Sequence, residues 1–183
     1  ALRLNTTGSN NAALGSSALT NNTTGASNTA VGQACLDANT TGTQNTAVGR
    51  ASLSSVSTGS NNTAVGYQAL EANTASGNSA FGHNALAVNT SGSGNVAVGK
   101  GALDANTTGN YNVAVGQNCL SANTTSSSST GVGHDALAVN TATYNTAVGY
   151  EALNDNTTGE YNVAVGGRAL DVNTTGANNV AIG

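Results

Sequence analysis

Asn95-Val96-Ala97-Val98-Gly99-Lys100-Gly101-Ala102-Leu103-Asp104-Ala105-Asn106-Thr107-Thr108-Gly109-Asn110-Tyr111 is followed at once by Asn112-Val113-Ala114-Val115-Gly116, where the same phrase begins again. The Gly that closes the N-x-A-V-G segment recurs at Gly15, Gly32, Gly49, Gly66, Gly82, Gly99, Gly116, Gly133, Gly149, Gly166 and Gly183. The spacing is 17 residues throughout, except 16 from Gly66 to Gly82 and from Gly133 to Gly149. A fixed period of this kind is the mark of a repeat architecture. Both short spacings lose a residue between Leu and the next opening Asn. That stretch, N-T-T-G, therefore reads as a turn that tolerates deletion.

Two columns hardly vary. Leu stands four residues after each Gly that has chain beyond it, at Leu19, Leu36, Leu53, Leu70, Leu86, Leu103, Leu120, Leu137, Leu153 and Leu170, with Leu2 in register. Three residues further comes Asn, at Asn5, Asn22, Asn39, Asn73, Asn89, Asn106, Asn123, Asn140, Asn156 and Asn173, with Val56 the exception. A second Asn opens each strand segment except at Ser129.

The N-x-A-V-G segment predicts a short strand. Pairs such as Thr29/Val31, Val96/Val98 and Val163/Val165 point to one face and the intervening Ala to the other. The following x-x-A-L-x-x segment fits a short strand or a single turn, because five or six residues do not sustain a helix. No unit this short buries its own apolar face, so the units must stack. Stacking sets Leu on Leu and Val on Val in a continuous core, and Asn on Asn in amide ladders. The small Ala column then reads as a contact between chains, which a three-fold arrangement would bury. At ~4.8 Å per coil the rod is roughly 50 Å long. The expectation is an all-β parallel β-roll, a β-solenoid of about eleven 17-residue coils forming a single repeat domain over residues 1–183, as a homotrimer. Residue 1 falls inside a repeat, so the chain reads as an excerpt of a longer fibrous protein.

Composition narrows the functions. Charged residues are 7% and aromatics 3% of 183 residues, with no Pro, Met or Trp. Only Arg3, Arg50, Lys100 and Arg168 are basic, within a net charge of −4. A nucleic-acid surface needs clustered cations, and no apolar run approaches the ~20 residues that span a bilayer.

The segments Asn95–Gly99, Asn112–Gly116, Asn162–Gly166 and Asn179–Gly183 resemble the S-V-A-I-G head repeats of YadA-like trimeric autotransporter adhesins. The longer unit, with A-L and N-T-T-G, is similar to repeats of bacteriophage tail fibres and of bacterial surface proteins that end in an endosialidase-type chaperone domain. The resemblance covers all 183 residues and implies a trimeric β-roll used as a shaft or adhesive head. The unit here is longer than the adhesin repeat, and Ala-Leu replaces its small polar residue after the Gly.

Candidate chemistry is sparse. Cys35 and Cys119 both replace the Ala before Leu. Five coils separate them by about 24 Å, beyond the reach of a disulfide. They read as buried thiols standing in for Ala, with pairing between chains the alternative. His83 and His134 follow the Gly in a variable polar column, and His134-Asp135 in a turn is poor acid–base geometry. Asp37, Glu71, Asp104 and Asp171 share a column with neutral residues, unlike calcium solenoids with an Asp in nearly every unit. These patterns predict no catalytic residue, no metal and no cofactor. The Thr after Asn recurs from Thr6 to Thr174 and admits two readings, local turn chemistry or a flat ice-binding array. The exposed candidates for ligand contact are Tyr67, Tyr111, Tyr144, Tyr150 and Tyr161. The function expected is a stiff extracellular fibre segment on a virion or bacterial surface. Its partners would be copies of itself and a host-cell-surface glycan or protein, with no nucleic acid and no membrane insertion. A self-assembling filament is the runner-up, and an ice-binding solenoid the third reading.

Overall fold

Each N-x-A-V-G segment contributes a three-residue strand. In the computed structural model, which describes residues 1–183, these are β1 (Ala12–Leu14), β2 (Thr29–Val31), β3 (Thr46–Val48), β4 (Thr63–Val65), β5 (Ser79–Phe81), β6 (Val96–Val98), β7 (Val113–Val115), β8 (Thr130–Val132), β9 (Thr146–Val148), β10 (Val163–Val165) and β11 (Val180–Ile182). Every strand pairs in parallel with the next in chain order, forming one eleven-stranded sheet. Equivalent residues are partners, as in Val96 with Val113 and Ala97 with Ala114. The chain is a β-solenoid with one strand per coil. Register survives the two short coils, where Thr63 pairs with Ser79 and Thr130 with Thr146. The missing residue is therefore absorbed by the turn.

The inside of the roll differs from the sequence expectation. Leu19, Leu36, Leu53, Leu70, Leu86, Leu103, Leu120, Leu137 and Leu153 are fully buried, and Leu170 is half-buried in the last coil. The strand Ala column, Ala30 through Ala164, is also fully buried, inside the same chain. The Val column points outward: Val31, Val98 and Val132 are each 36% exposed. So Val does not stack into the core, and Ala is no contact between chains. The physical reason is width. With 17 residues per coil the two walls approach so closely that Leu fills the space between them, leaving room for only a methyl group opposite. The residue two after Leu also faces outward, as at Val88 and Val139.

The segment from Gly to Leu is neither strand nor helix. Every second residue has positive φ, as in Gly49 (128°), Ala51 (57°) and Leu53 (50°). Alternating handedness cancels helical rotation and lets the chain run on while its N–H groups point alternately up and down the rod. Ala51 N–H donates to Gln33 O at 2.9 Å in the coil before, and Leu53 N–H to Ala69 O at 3.1 Å in the coil after. A left-handed Leu costs about 1–2 kcal/mol. Its complete burial contributes about 1.5–3 kcal/mol and offsets that strain.

Two departures from the repeat compensate each other. Cys119 is larger than the Ala usual at its position, and Gly131 stands in the strand Ala column of the next coil. A Cβ on Gly131 would collide with Cys119 Sγ. Gly131→Ala alone is therefore expected to destabilise by about 1 kcal/mol, since the Cys119 Sγ must turn aside, as the Cys35 Sγ turns to Gly49 O beside Ala47. Gly131→Ala combined with Cys119→Ala should restore or exceed wild-type stability, because Ala favours a strand over Gly. Urea-unfolding midpoints of the two single variants and the double variant give the coupling; purely additive effects would contradict this account.

Candidate functional site

Two amide ladders hold the coils. In the ladder read from sequence, Asn106 Nδ2 donates to Asn89 Oδ1 at 2.8 Å and to Gly109 O at 3.1 Å, and Asn89 does the same to Asn73 Oδ1 and Gly92 O. The opening Asn column forms a second ladder, fully buried over most of its length, to which the sequence reading gave no separate role. There Asn95 Oδ1 accepts the backbone N–H of Asn112 at 2.9 Å, while Asn95 Nδ2 donates to Gly109 O at 2.8 Å. Both ladders neutralise turn carbonyls that would otherwise be buried unpaired.

The first ladder is not continuous. In the short coils Asn73 and Asn140 turn their amides to Ala75 O and Ala142 O, only two residues on. They do not reach the preceding coil. Asn123 Oδ1 is left buried without a partner before Asn140, and Asn39 Oδ1 before Val56. The ladder thus runs in three lengths: Asn5 to Asn39, Asn73 to Asn123, and Asn140 to Asn173.

The Thr column beside these ladders is committed to the fold. The Thr40, Thr90, Thr107 and Thr157 hydroxyls each donate to a backbone carbonyl of the next coil at 2.9–3.1 Å. That commitment favours turn chemistry over a free hydroxyl array for this column.

Three outer surfaces remain. The first is the sheet face, with Val, Thr, Phe81 and Ile182 side chains and no charged residue in any strand. Phe81 is 41% exposed on it. The second is the column just before the opening Asn, at one end of the strands. Tyr144 and Tyr161 stack there with ring centroids 5.0 Å apart and planes 5° from parallel. Tyr111 lies over Gly94, where a Cβ would meet its ring at 2.7 Å. The third is the column just after the closing Gly, at the other end. There Tyr67 stacks on His83 at 5.2 Å and Tyr150 on His134 at 5.6 Å. All five tyrosines singled out from sequence are exposed, and the fold sorts them onto these two edges.

Charge differs along the third surface. His134 meets Asp135 at 3.0 Å, and Arg168 meets Glu151 at 2.7 Å. Hydrogen bonds from Tyr150 and Arg168 hold the Glu151 carboxyl below its ordinary range, and the same contact with Glu151 pushes the Tyr150 phenol up. Glu151, Asn154, Asp155, Arg168 and Asp171 line an open, wholly polar depression. No three His, Cys, Asp or Glu side chains are grouped so as to hold a metal ion. Asp37 and Asp104 are raised by partial burial. Cys35 and Cys119 are free and buried. Burial pushes the Cys119 thiol up to about 12, which keeps it protonated and unreactive at neutral pH. No helix is long and apolar enough to cross a membrane.

A scan of protein-family models finds no match to this chain, and searches of curated proteins and of solved structures find none either.

Proposed function

We propose that this chain is a segment of an extracellular adhesive fibre, in which three copies pack their sheet faces around a common axis. The observation that carries the reading is the outward Val column. It continues uncharged across all eleven strands, over a length of roughly 50 Å at the coil rise. Soluble monomers rarely leave a contiguous apolar surface larger than a few hundred Å² open to water. A parallel solenoid offers three copies the same flat, in-register face, so closed symmetry covers it without new chemistry. Stiffness then comes from the coil-to-coil ladders, and adhesion from the variable columns at the strand ends, which such packing leaves outward. The resemblance to trimeric adhesin heads and tail-fibre repeats supports the same reading, which would place the chain on the surface of a virion or bacterium.

Sedimentation equilibrium tests the assembly. The wild-type chain is expected at three chain masses. Val98→Glu with Val115→Glu, which places carboxylates on neighbouring rungs of the face, should sediment as a monomer with an unchanged far-ultraviolet spectrum. A wild-type monomer at micromolar concentration overturns the trimer. Rods that lengthen with concentration under the electron microscope would favour the end-to-end filament instead.

A further inference from the structure

We propose that the outer edge formed by Arg50, Tyr67, His83 and Lys100 binds an acidic polysaccharide lying along the rod. The four residues occupy one column on four successive coils, and all are exposed. Arg50 is held in place: its Nε donates to Gln33 Oε1 at 3.3 Å, its Nη1 donates to the Tyr67 hydroxyl at 3.1 Å, and its guanidinium lies 5.5 Å from the centre of the Tyr67 ring. Tyr67 in turn stacks on His83. The ring faces are occupied by one another, so a ligand meets their polar edges. Guanidinium, phenol, imidazole and ammonium thus form a ribbon of hydrogen-bond donors spaced by the coil rise of about 4.8 Å, close to the length of one sugar unit.

The same column later in the chain supplies the contrast. There the stacks are neutralised from within, by Asp135 beside His134 and Glu151 beside Arg168. Around the earlier stack the adjacent column reads Ala34, Ala51, Gln68, Asn84 and Gly101, with no acid. Asp37, Glu71 and Asp104 stand further round the coil, and neither Arg50 nor Lys100 forms an ion pair. In a chain of net charge −4 with four Lys and Arg in all, two cations without acidic partners share this edge.

Two cations three coils apart, one of them held in place, with a phenol and an imidazole between them, suit a ligand that carries both carboxylates and hydroxyls. A nucleic acid binds through many phosphate contacts, whereas the phenol and imidazole between these two cations suit sugar hydroxyls. Arg is the side chain best matched to a carboxylate, through paired N–H groups. The stack fixes its position in advance, which lowers the ordering cost of binding.

This inference rests on the adhesive reading, and the test separates the two. Binding of polygalacturonate oligomers by the full chain is measured calorimetrically, with dextran, dextran sulfate and polyuridylate as comparators. The expected result is binding of polygalacturonate in preference to all three. Arg50→Gln with Lys100→Gln should weaken it by roughly tenfold or more, since charge-assisted hydrogen bonds are lost. Gln68→Glu with Asn84→Asp, which copies the self-neutralised arrangement of the later coils, should weaken it as much while keeping the stack. None of these positions belongs to the hydrophobic core, although Asn84 Oδ1 is itself shielded from solvent, and an unchanged circular dichroism spectrum verifies the fold. No polygalacturonate binding, equal binding of dextran sulfate or polyuridylate, or full affinity in either variant overturns the site. A trimer that ignores polygalacturonate removes this site alone, whereas a monomer that binds it removes the fibre assembly alone.

Discussion

Gly99→Ala is expected to cost at least about 3 kcal/mol and to break the stack at the middle of the rod. Gly99 sits at φ 134°, where side chains are strained, and a Cβ there would lie 2.5 Å from Gly116 O and 2.6 Å from Gly116 C. Both atoms are backbone of the next coil and have no rotamer through which to retreat. The coils would have to separate locally, losing Gly116 N–H to Val98 O at 2.7 Å and its neighbours. Gly167→Ala is the internal control, because nothing lies within 4 Å of its added Cβ and its φ is not positive. That change should be neutral or slightly stabilising. Urea unfolding at fixed chain concentration measures both, and native-state hydrogen exchange should place the weakening of Gly99→Ala in the coils around it. Equal effects of the two substitutions would refute close backbone stacking as the origin of the Gly column.

Asn106→Asp is expected to be as damaging at neutral pH, by about 4 kcal/mol, although it changes one atom. The Asn106 amide donates to Asn89 Oδ1 and Gly109 O. A carboxylate would present acceptor to acceptor at both contacts, inside a fully buried site. Burial raises the carboxyl's pKa in the folded state above its unfolded value of about 3.9. The sign of the linkage follows. Stability is retained below the unfolded pKa, where the protonated group donates to Asn89 Oδ1, and is lost as pH rises through the folded pKa. The gap between variant and wild type should narrow markedly from pH 7 to pH 3.5. A gap independent of pH would mean that the ladder does not depend on donor polarity.

The period, the stacking and the tolerance of the N-T-T-G turn to deletion were legible because eleven copies repeat them. The Leu column was legible for the same reason. Which strand face is inside was not. Thr-Ala-Val alternation has an apolar residue on both faces, and large apolar side chains are the ordinary choice for a core. Only the narrow roll, with Leu reaching across to Ala, reverses that choice. The left-handed Leu was equally hidden, because Leu carries no preference for positive φ. A signal did exist two residues after Gly, where Asn84, Gly101, Asn118 and Asp135 belong to the types that adopt that region readily. The edge formed by Arg50, Tyr67, His83 and Lys100 could be listed as a column from sequence. The stacking and the lack of acidic partners needed coordinates, since the later coils carry similar residues and neutralise them.

The two breaks in the first amide ladder have a mechanical side. Asn140 turns away in a shortened turn and strands the Asn123 acceptor, and Val56, in a full-length coil, gives the Asn39 acceptor no donor. Pulled end to end, the shaft would yield first at those two rungs, parting into three stiff lengths while each length kept its own winding.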